Sequence, residues 1–425
     1  MFPDSEVLRE AIKCSGCGFC LSVCPVYQAV GIETLSSRGR MDTIRGMLLG
    51  QLKPTARMEQ ILSSCLMCQA CEASCPPGAV AHKVILEARH RTLKARGLPM
   101  VKRLAFRRLL KNRDALSRAL QILRRIQRPV GGGTQGYTLR HLPALFSALA
   151  GGRALPAVAP KPLRERFPER IEADPHVPFR GRVGFFCGCY MDLVDTSIGD
   201  ATIRVLTREG FEVFFPREQA CCGAPALYSG DVEDTVELAL RNARAFASHS
   251  LDSVLVACAT CLSGLREGYG ILAPHFRAED LEAVTTLRRG VLDLSSFLGQ
   301  VGLSRPLSLQ QPLTVTYHDP CHHVRGQKIS SEPRELLKSI GNLTLVEMDE
   351  PARCCGGGGS FSISHPEMSI EIGRWKVKDI SNTGAQAVVT SCPGCVVQIQ
   401  EVAQREGALF QVLHLAQVLE MARPN

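Results

Sequence analysis

Eight of the nineteen cysteines fall into two runs of identical spacing. Cys14-x2-Cys17-x2-Cys20-x3-Cys24-Pro25 is followed by Cys65-x2-Cys68-x2-Cys71-x3-Cys75-Pro76. Three thiolates on one tight turn can grip three irons of one cube face. The proline after each fourth cysteine ends the turn and starts the chain elsewhere. This is the ligand pattern of two [4Fe–4S] cubanes in which the fourth cysteine of each run serves the other cluster. One cubane is therefore assigned to Cys14, Cys17, Cys20 and Cys75, the other to Cys65, Cys68, Cys71 and Cys24. Paired zinc sites built from the CxxC units would leave the third evenly spaced cysteine and the Cys-Pro step without a purpose.

Ten further cysteines form a repeat. Cys189, Cys221-Cys222-Gly223 and Cys258-Ala-Thr-Cys261 are matched by Cys321, Cys354-Cys355-Gly356 and Cys392-Pro-Gly-Cys395, at offsets of 132 to 134 residues. Five cysteines per half are one more than a regular tetrahedral or cubane site requires. Adjacent cysteines suit an opened, irregular cluster in which one sulfur bridges two irons. The glycine after each pair allows close backbone approach to a bulky inorganic group. The competing reading is a buried structural thiol or a redox CxxC, although free thiols need no repeated spacing. Cys187 is left over as an alternate ligand, a reactive thiol or, more simply, a small buried hydrophobe at a strand end. His318, His322 and His323 surround Cys321 and could donate protons to a departing thiolate or hold the loop by hydrogen bonds. His322, His323 and Cys187 are the candidate catalytic groups.

Strands and helices must bring these groups together. Between the two N-terminal runs, Ile44 to Leu52 has helical periodicity. Leu98 to Gln127 also reads as one helix, bracketed by Pro99 and Pro129. Gly131-Gly132-Gly133 and the stretch Leu155 to Pro178 read as irregular connector. In the repeat, apolar β-branched runs precede the cysteine elements: Val183–Phe186, Val213–Phe215 and Val254–Val256, then Leu313–Tyr317, Leu343–Val346 and Ala387–Thr390. Helix-length segments such as Val232–Ala247 and Pro366–Ile380 follow. Alternation at this pitch predicts a parallel α/β sheet in each half, with the cysteines at the carboxyl ends of strands. Val291–Leu298 and Val412–Leu419 echo each other. The expected class is a multidomain α+β protein. Residues 1–90 form a helical, ferredoxin-like two-cluster unit, 91–180 a basic helical connector, and 181–305 and 306–425 duplicated α/β half-domains.

At 425 residues the chain exceeds one ordinary core. No apolar stretch reaches membrane-span length, and the N-terminus carries no export signal, so the cysteines are expected to stay reduced in a cytoplasm. The net charge of +9 is concentrated, with fifteen Lys and Arg against Glu87 and Asp114 between Lys83 and Arg128. Such a segment can face nucleic acid, anionic lipid or an acidic protein. No Tyr or Trp interleaves with it, which argues against a nucleic-acid platform. Neither a Gly-x-Gly-x-x-Gly fingerprint nor a Walker A loop is present, so no flavin or nucleotide site is expected on this chain.

Cys17-Gly-Phe-Cys20, Arg38-Gly-Arg40, Gly188-Cys189-Tyr190, Cys221-Cys222-Gly223, His318-Asp-Pro-Cys321-His322 and Cys392-Pro-Gly-Cys395 together resemble a known family. Its members join a two-cubane ferredoxin domain to paired cysteine-rich CCG domains. They include the iron–sulfur subunits of glycolate oxidase and of anaerobic glycerol-3-phosphate dehydrogenase, and the fused catalytic subunit of heterodisulfide reductase. The resemblance covers residues 10–90 and 181–420. It implies one or two non-cubane [4Fe–4S] clusters, the first held by Cys189, Cys221, Cys222, Cys258 and Cys261. The second would be held by Cys321, Cys354, Cys355, Cys392 and Cys395. It further implies electron transfer between a flavoprotein dehydrogenase subunit acting on a 2-hydroxy acid and an acceptor such as quinone. The basic helix at 98–127 would dock that partner or the anionic inner face of the cell membrane, or else form a solvated face over the linker. Two complete CCG sets also fit the disulfide-reducing branch of the family.

Overall fold

The structure is a computed structural model that describes residues 4–97, 111–130, 138–139, 155–156, 158–247 and 249–424. The N-terminal unit is helical. Its longer helices are α1 (Asp4–Ile12), α2 (Ser37–Leu48), α3 (Ala56–Ser63) and α4 (Ala81–Arg96). Ser36 and Thr55 cap α2 and α3 by accepting from the backbone N–H three residues on, which satisfies an otherwise orphaned donor. Helix α2 starts earlier and ends earlier than the apolar periodicity at Ile44–Leu52 indicated, because the Ser36 cap sets its start. Apolar residues of α1, α2, α3 and α4, among them Val7, Ile44, Leu62 and Ile85, close one core.

The connector helix α5 spans Arg113–Val130. Its start is set by Asn112, whose side chain accepts from Ala115 N–H at 3.0 Å. The continuous helix expected from Leu98 is thus broken at 111–112, and the remainder of that expectation, residues 98–110, lies outside the described residues. So does the triplet Gly131 to Gly133.

Two mainly parallel sheets follow, each extended by a two-residue antiparallel strand, Arg170–Ile171 in the first and Arg423–Pro424 in the second. The first contains β1 (Gly181–Phe186), β2 (Phe211–Phe214), β3 (Ser253–Val256) and β4 (Val291–Asp293), in the order β2-β1-β3-β4. The second contains β5 (Leu307–Tyr317), β6 (Ile340–Leu345), β7 (Ala387–Thr390) and β8 (Gln411–His414), in the order β6-β5-β7-β8. All these pairings are parallel, and both halves share one strand order. The fully buried run Ala387–Thr390 is what a strand covered on both faces requires. Strands β4 and β8 lie inside the two echoing segments. Strand β5 begins six residues before the expected Leu313, and a register shift near Pro312 lets it tolerate that proline.

Helices α6 (Thr196–Arg208), α7 (Val232–Ala247), α8 (Pro366–Asn382) and α9 (Pro393–Glu406) cover the sheets. Buried residues of both halves, from Val183 through Val315 to Val418, merge into one continuous core. Among the described residues, no helix is long and apolar enough to cross a membrane.

Candidate iron–sulfur centres

The first N-terminal site lies near the surface. Cys14, Cys17, Cys20 and Cys75 line one small cavity with Phe19 and Pro76. Cys17 and Phe19 are exposed. Arg38 donates to Gly16 O at 2.9 Å and pairs with Glu33, which holds the first cysteine loop. Two residues on, the buried Arg40 donates to Ile61 O at 3.0 Å and to Ser64 O at 2.9 Å, which holds the approach to the second loop. Gly39 between them packs against the Glu33 carbonyl so closely that a Cβ would collide with it. The Arg-Gly-Arg motif therefore clamps both loops to one helix.

The second site is deeper. Cys24 and Cys68 are buried, and Cys65, Cys68 and Cys24 lie near enough to influence one another's charge. Burial raises the Cys24 thiol, with the Arg40 guanidinium pulling the other way. Cys68 shares a buried cluster with Cys354 of the second half, and that thiol together with burial pushes the Cys68 thiol up. Arg325 spans this junction, donating to Cys68 O at 3.2 Å and to Ala352 O at 2.8 Å.

All ten repeat cysteines line a single cavity of about 480 Å³ between the two sheets, with Cys65, Leu66 and Met67 of the N-terminal unit at its wall. The strands end toward this space. Cys187 and Cys189 follow β1, Cys258 follows β3, Cys321 follows β5 and Cys392 follows β7. The CysCysGly loops come from beyond β2 and β6. The thiols form a continuous series: Cys189 to Cys221, Cys222 and Cys261 in the first half, and Cys321 to Cys354, Cys355 and Cys395 in the second. The halves meet where the Cys258 and Cys392 thiols are close enough to shift each other's charge, and Ala259 N–H donates to Ser391 O at 3.2 Å.

All nineteen cysteines are free thiols. A donor set made almost wholly of buried soft thiols, on glycine-rich loops and beside an unpaired imidazole, fits iron and inorganic sulfide well. It fits hard-cation chemistry poorly.

The three histidines have different surroundings. His323 Nε2 lies 3.3 Å from Asp293 Oδ1; burial disfavours its charge, but Asp293 outweighs that and raises the ring's pKa. His322 packs on Tyr228 with ring centroids 5.5 Å apart and lines the cavity, and burial lowers its pKa. His318 is 1% exposed, and neither ring nitrogen has a hydrogen-bond partner among the described residues. Burial, and then the Lys376 charge, hold its pKa down to about 3.

Cys187 is buried at the end of β1 and lines the same cavity. Its partner was not foreseen from the sequence. Arg113 of α5 is 3% exposed and donates to Cys187 Sγ at 3.1 Å, to Gln219 O at 2.6 Å and to Asp192 at 3.0 Å. Arg164 binds the same Asp192 carboxylate at 2.8 Å. Burial pushes the Cys187 thiol up, with Arg113 drawing it back. Arg113 is one of fifteen basic residues in its stretch, and nothing in its local sequence marks it as the one that turns inward.

The N-terminal unit is fixed to the first half along α4. Arg89 donates to Cys65 O at 2.7 Å and to Tyr228 O at 2.5 Å. Gly230, at φ +91°, lies so close to Arg89 and His90 that a Cβ would sit 2.7 Å from the Arg89 carbonyl carbon. His82 bridges Glu72 at 2.9 Å and Glu267 at 2.8 Å.

Comparison with known proteins agrees with this arrangement. A cysteine-rich CCG domain model matches residues 183–266 and 315–400, and a 4Fe-4S dicluster domain model matches residues 10–79. A probable glycolate oxidase iron-sulfur subunit of Bacillus subtilis (strain 168) is 34% identical over 96% of this chain and 93% of its own length. Lactate utilization protein A of an Exiguobacterium species is 30% identical over 56% of this chain and 96% of its own length. A fumarate reductase (CoM/CoB) subunit of Methanothermobacter marburgensis is 35% identical over 57% of this chain and 46% of its own length. With a dicluster unit, two CCG domains and a full-length relative at this level of identity, the chain belongs to the family of glycolate oxidase-type iron–sulfur subunits.

Proposed function

We propose that this protein is the electron-carrying subunit of a multi-subunit 2-hydroxy-acid oxidoreductase. It would relay electrons between a flavoprotein dehydrogenase subunit, acting on a substrate such as glycolate or lactate, and a downstream acceptor such as quinone. The observation that carries this reading is the unbroken order of thiolate sites. They run from the exposed Cys17, through the buried set around Cys24 and Cys68, across the Cys68–Cys354 contact, and over the Cys258–Cys392 contact to Cys189. Iron–sulfur centres held by these thiolates supply one-electron carriage. The chain's own residues hold the sites in file and keep water from the deeper ones. Arg38, Arg40, Arg89 and Arg325 anchor the loops through backbone carbonyls. Two cubanes at the N-terminal runs and a non-cubane centre in each CCG set are the proposed content.

The test is oxygen-free purification followed by iron and sulfide quantitation and EPR. About sixteen irons per chain supports four centres, and about eight confines them to the N-terminal unit. Reduction of those centres by glycolate or lactate, dependent on added flavoprotein partner, supports the relay. No reduction under those conditions rejects it.

A second reading is reduction of a disulfide substrate. It is favoured by the single cavity of about 480 Å³ that both CCG sets share. Reductant-driven release of thiol from a small disulfide would establish it, and its absence from a fully loaded protein would remove it.

A further inference from the structure

His318 stands where the first half has no polar group. It directly follows β5, and its backbone N–H donates to Val389 O at 2.9 Å, which fixes the residue against β7. The matching residue 132 positions earlier is Phe186, whose ring packs on Phe246 with centroids 6.3 Å apart. One half thus places an apolar ring behind its cysteines and the other an imidazole.

The nearest backbone acceptor to that imidazole is at Pro351, and it makes no well-formed hydrogen bond with the ring. A buried ring with two polar nitrogens normally binds both, because an unpaired polar atom away from water is costly. Here neither nitrogen is bonded among the described residues, and the ring is 1% exposed. One ring nitrogen and the sulfurs of Cys355 and Cys395 all lie within 4.8 Å of one another, yet no hydrogen bond joins the imidazole to either thiol. Ligands on one tetrahedral metal ion, at bond lengths of roughly 2.0–2.3 Å, stand about 3.5–3.8 Å apart. The three atoms are therefore grouped closely enough to close around a shared ion with a small inward movement. Among the described residues, this is the one such group of three.

We infer that His318 is a nitrogen ligand to iron in the second CCG site, alongside Cys355 and Cys395, and that the first CCG site has no counterpart. This rests on the reading of the second site as an iron–sulfur centre. A neutral imidazole brings no negative charge to the centre, whereas a thiolate does. The second set keeps all five cysteines, so the imidazole would take the place of one of those thiolates on its iron; such a replacement raises the reduction potential of an iron–sulfur centre, and His318→Phe, which copies the first half, moves it back downward.

The experiment is pulsed EPR of the full chain, prepared without oxygen, with natural-abundance and 15N-labelled histidine, beside iron quantitation. The expected result is a strongly coupled nitrogen that changes with the label and disappears in His318→Phe at unchanged iron content. Full iron content with no histidine nitrogen coupling, or with a coupling that survives in His318→Phe, overturns the ligand assignment and leaves the cluster reading standing. About eight irons per chain overturns both, because the second site is then without iron. Should His318→Phe fail to accumulate, the labelled wild-type protein still decides, since no other histidine shares this spacing with two cysteines among the described residues.

Discussion

The two CCG halves have the same cysteines at the same strand ends and the same strand order, yet the residues behind the ligands differ. Two positions before Cys189 stands Cys187, bound by the buried Arg113. Two positions before Cys321 stands Asp319, held by both guanidinium nitrogens of Arg334 at 2.8 and 3.0 Å. Asn242 of α7 braces the first CysCysGly loop, accepting from Ala220 N–H and donating to Cys221 O. At the matching turn of α8, Lys376 is buried, donates to Glu350 O and pairs with Asp379 at 3.1 Å. Backbone ends place the thiols, and side chains one layer back set the charge around them. A duplicated scaffold can therefore hold two equal ligand sets in unequal electrostatic settings.

The largest expected effect comes from the ligands. Cys221→Ser and Cys354→Ser should each cost about four of about sixteen irons, read by iron and sulfide analysis. Only Cys354→Ser should also slow reduction of the surviving CCG centre in rapid-mixing experiments, because Cys354 is the residue that touches Cys68. Equal slowing in both variants would mean that electrons enter the halves independently.

Next comes the charge behind each site. Arg113→Ala leaves Asp192 buried with Arg164 alone. Loss of one partner from a buried ion pair costs about 3–5 kcal/mol, and the low end is expected here because Arg164 remains. Arg334→Ala breaks a more accessible pair, and hydrogen bonds to charged groups contribute about 1.5–3 kcal/mol. Urea midpoints of the two variants should therefore differ, with Arg113→Ala the lower.

The seams with the N-terminal unit offer a smaller contrast. Gly230→Ala places a methyl group against backbone at positive φ, and overpacking of this kind typically costs about 1–3 kcal/mol. Gly358→Ala is also at positive φ, +54°, but its methyl group meets the Leu66 and Phe361 side chains rather than backbone. Limited proteolysis should release the N-terminal unit sooner from Gly230→Ala than from Gly358→Ala.

The smallest effect concerns pH. Burial works against the charged ring of His82, but Glu267 and Glu72 outweigh it and raise its pKa from 6.5 to about 9. A raised folded-state value stabilises fully below about pH 6.5, and that contribution is lost as pH rises through about 9. The thermal midpoint should therefore fall across that interval, and His82→Gln should flatten the slope. An unchanged slope would place the titration elsewhere.

Much of this arrangement is legible in the residues themselves. Cysteine spacing alone groups Cys14, Cys17 and Cys20 with the distant Cys75, and the structure places those four around one cavity. Apolar runs before the repeat cysteines locate six of the eight strands; the fully buried β7 shows why most clearly, since a strand covered on both faces reads as a continuous apolar stretch. Strands β4 and β8 each run directly into a helix, at Leu294 and Leu415, so no turn residue marks their ends. The N-terminus of α5 is hidden because apolar spacing continues through Lys111 and Asn112, and only the cap reveals the break. Three features depend on tertiary closure and leave no local trace: the inward turn of Arg113, the meeting of Cys68 with Cys354, and the shared cavity. His318 is an intermediate case. Its place beside Cys321 is visible in sequence, but its lack of any partner is visible only in the folded chain.

The junction of Cys258 with Cys392 also bears on how this protein ages in air. Once oxygen has stripped iron from the neighbourhood, thiols from opposite halves are left as close neighbours, so oxidation can join them and stitch the sheets together. Damage of that sort seals itself. Rebuilding would then demand a thiol reductant before iron or sulfide could return, and the order of addition in any reconstitution would decide its yield.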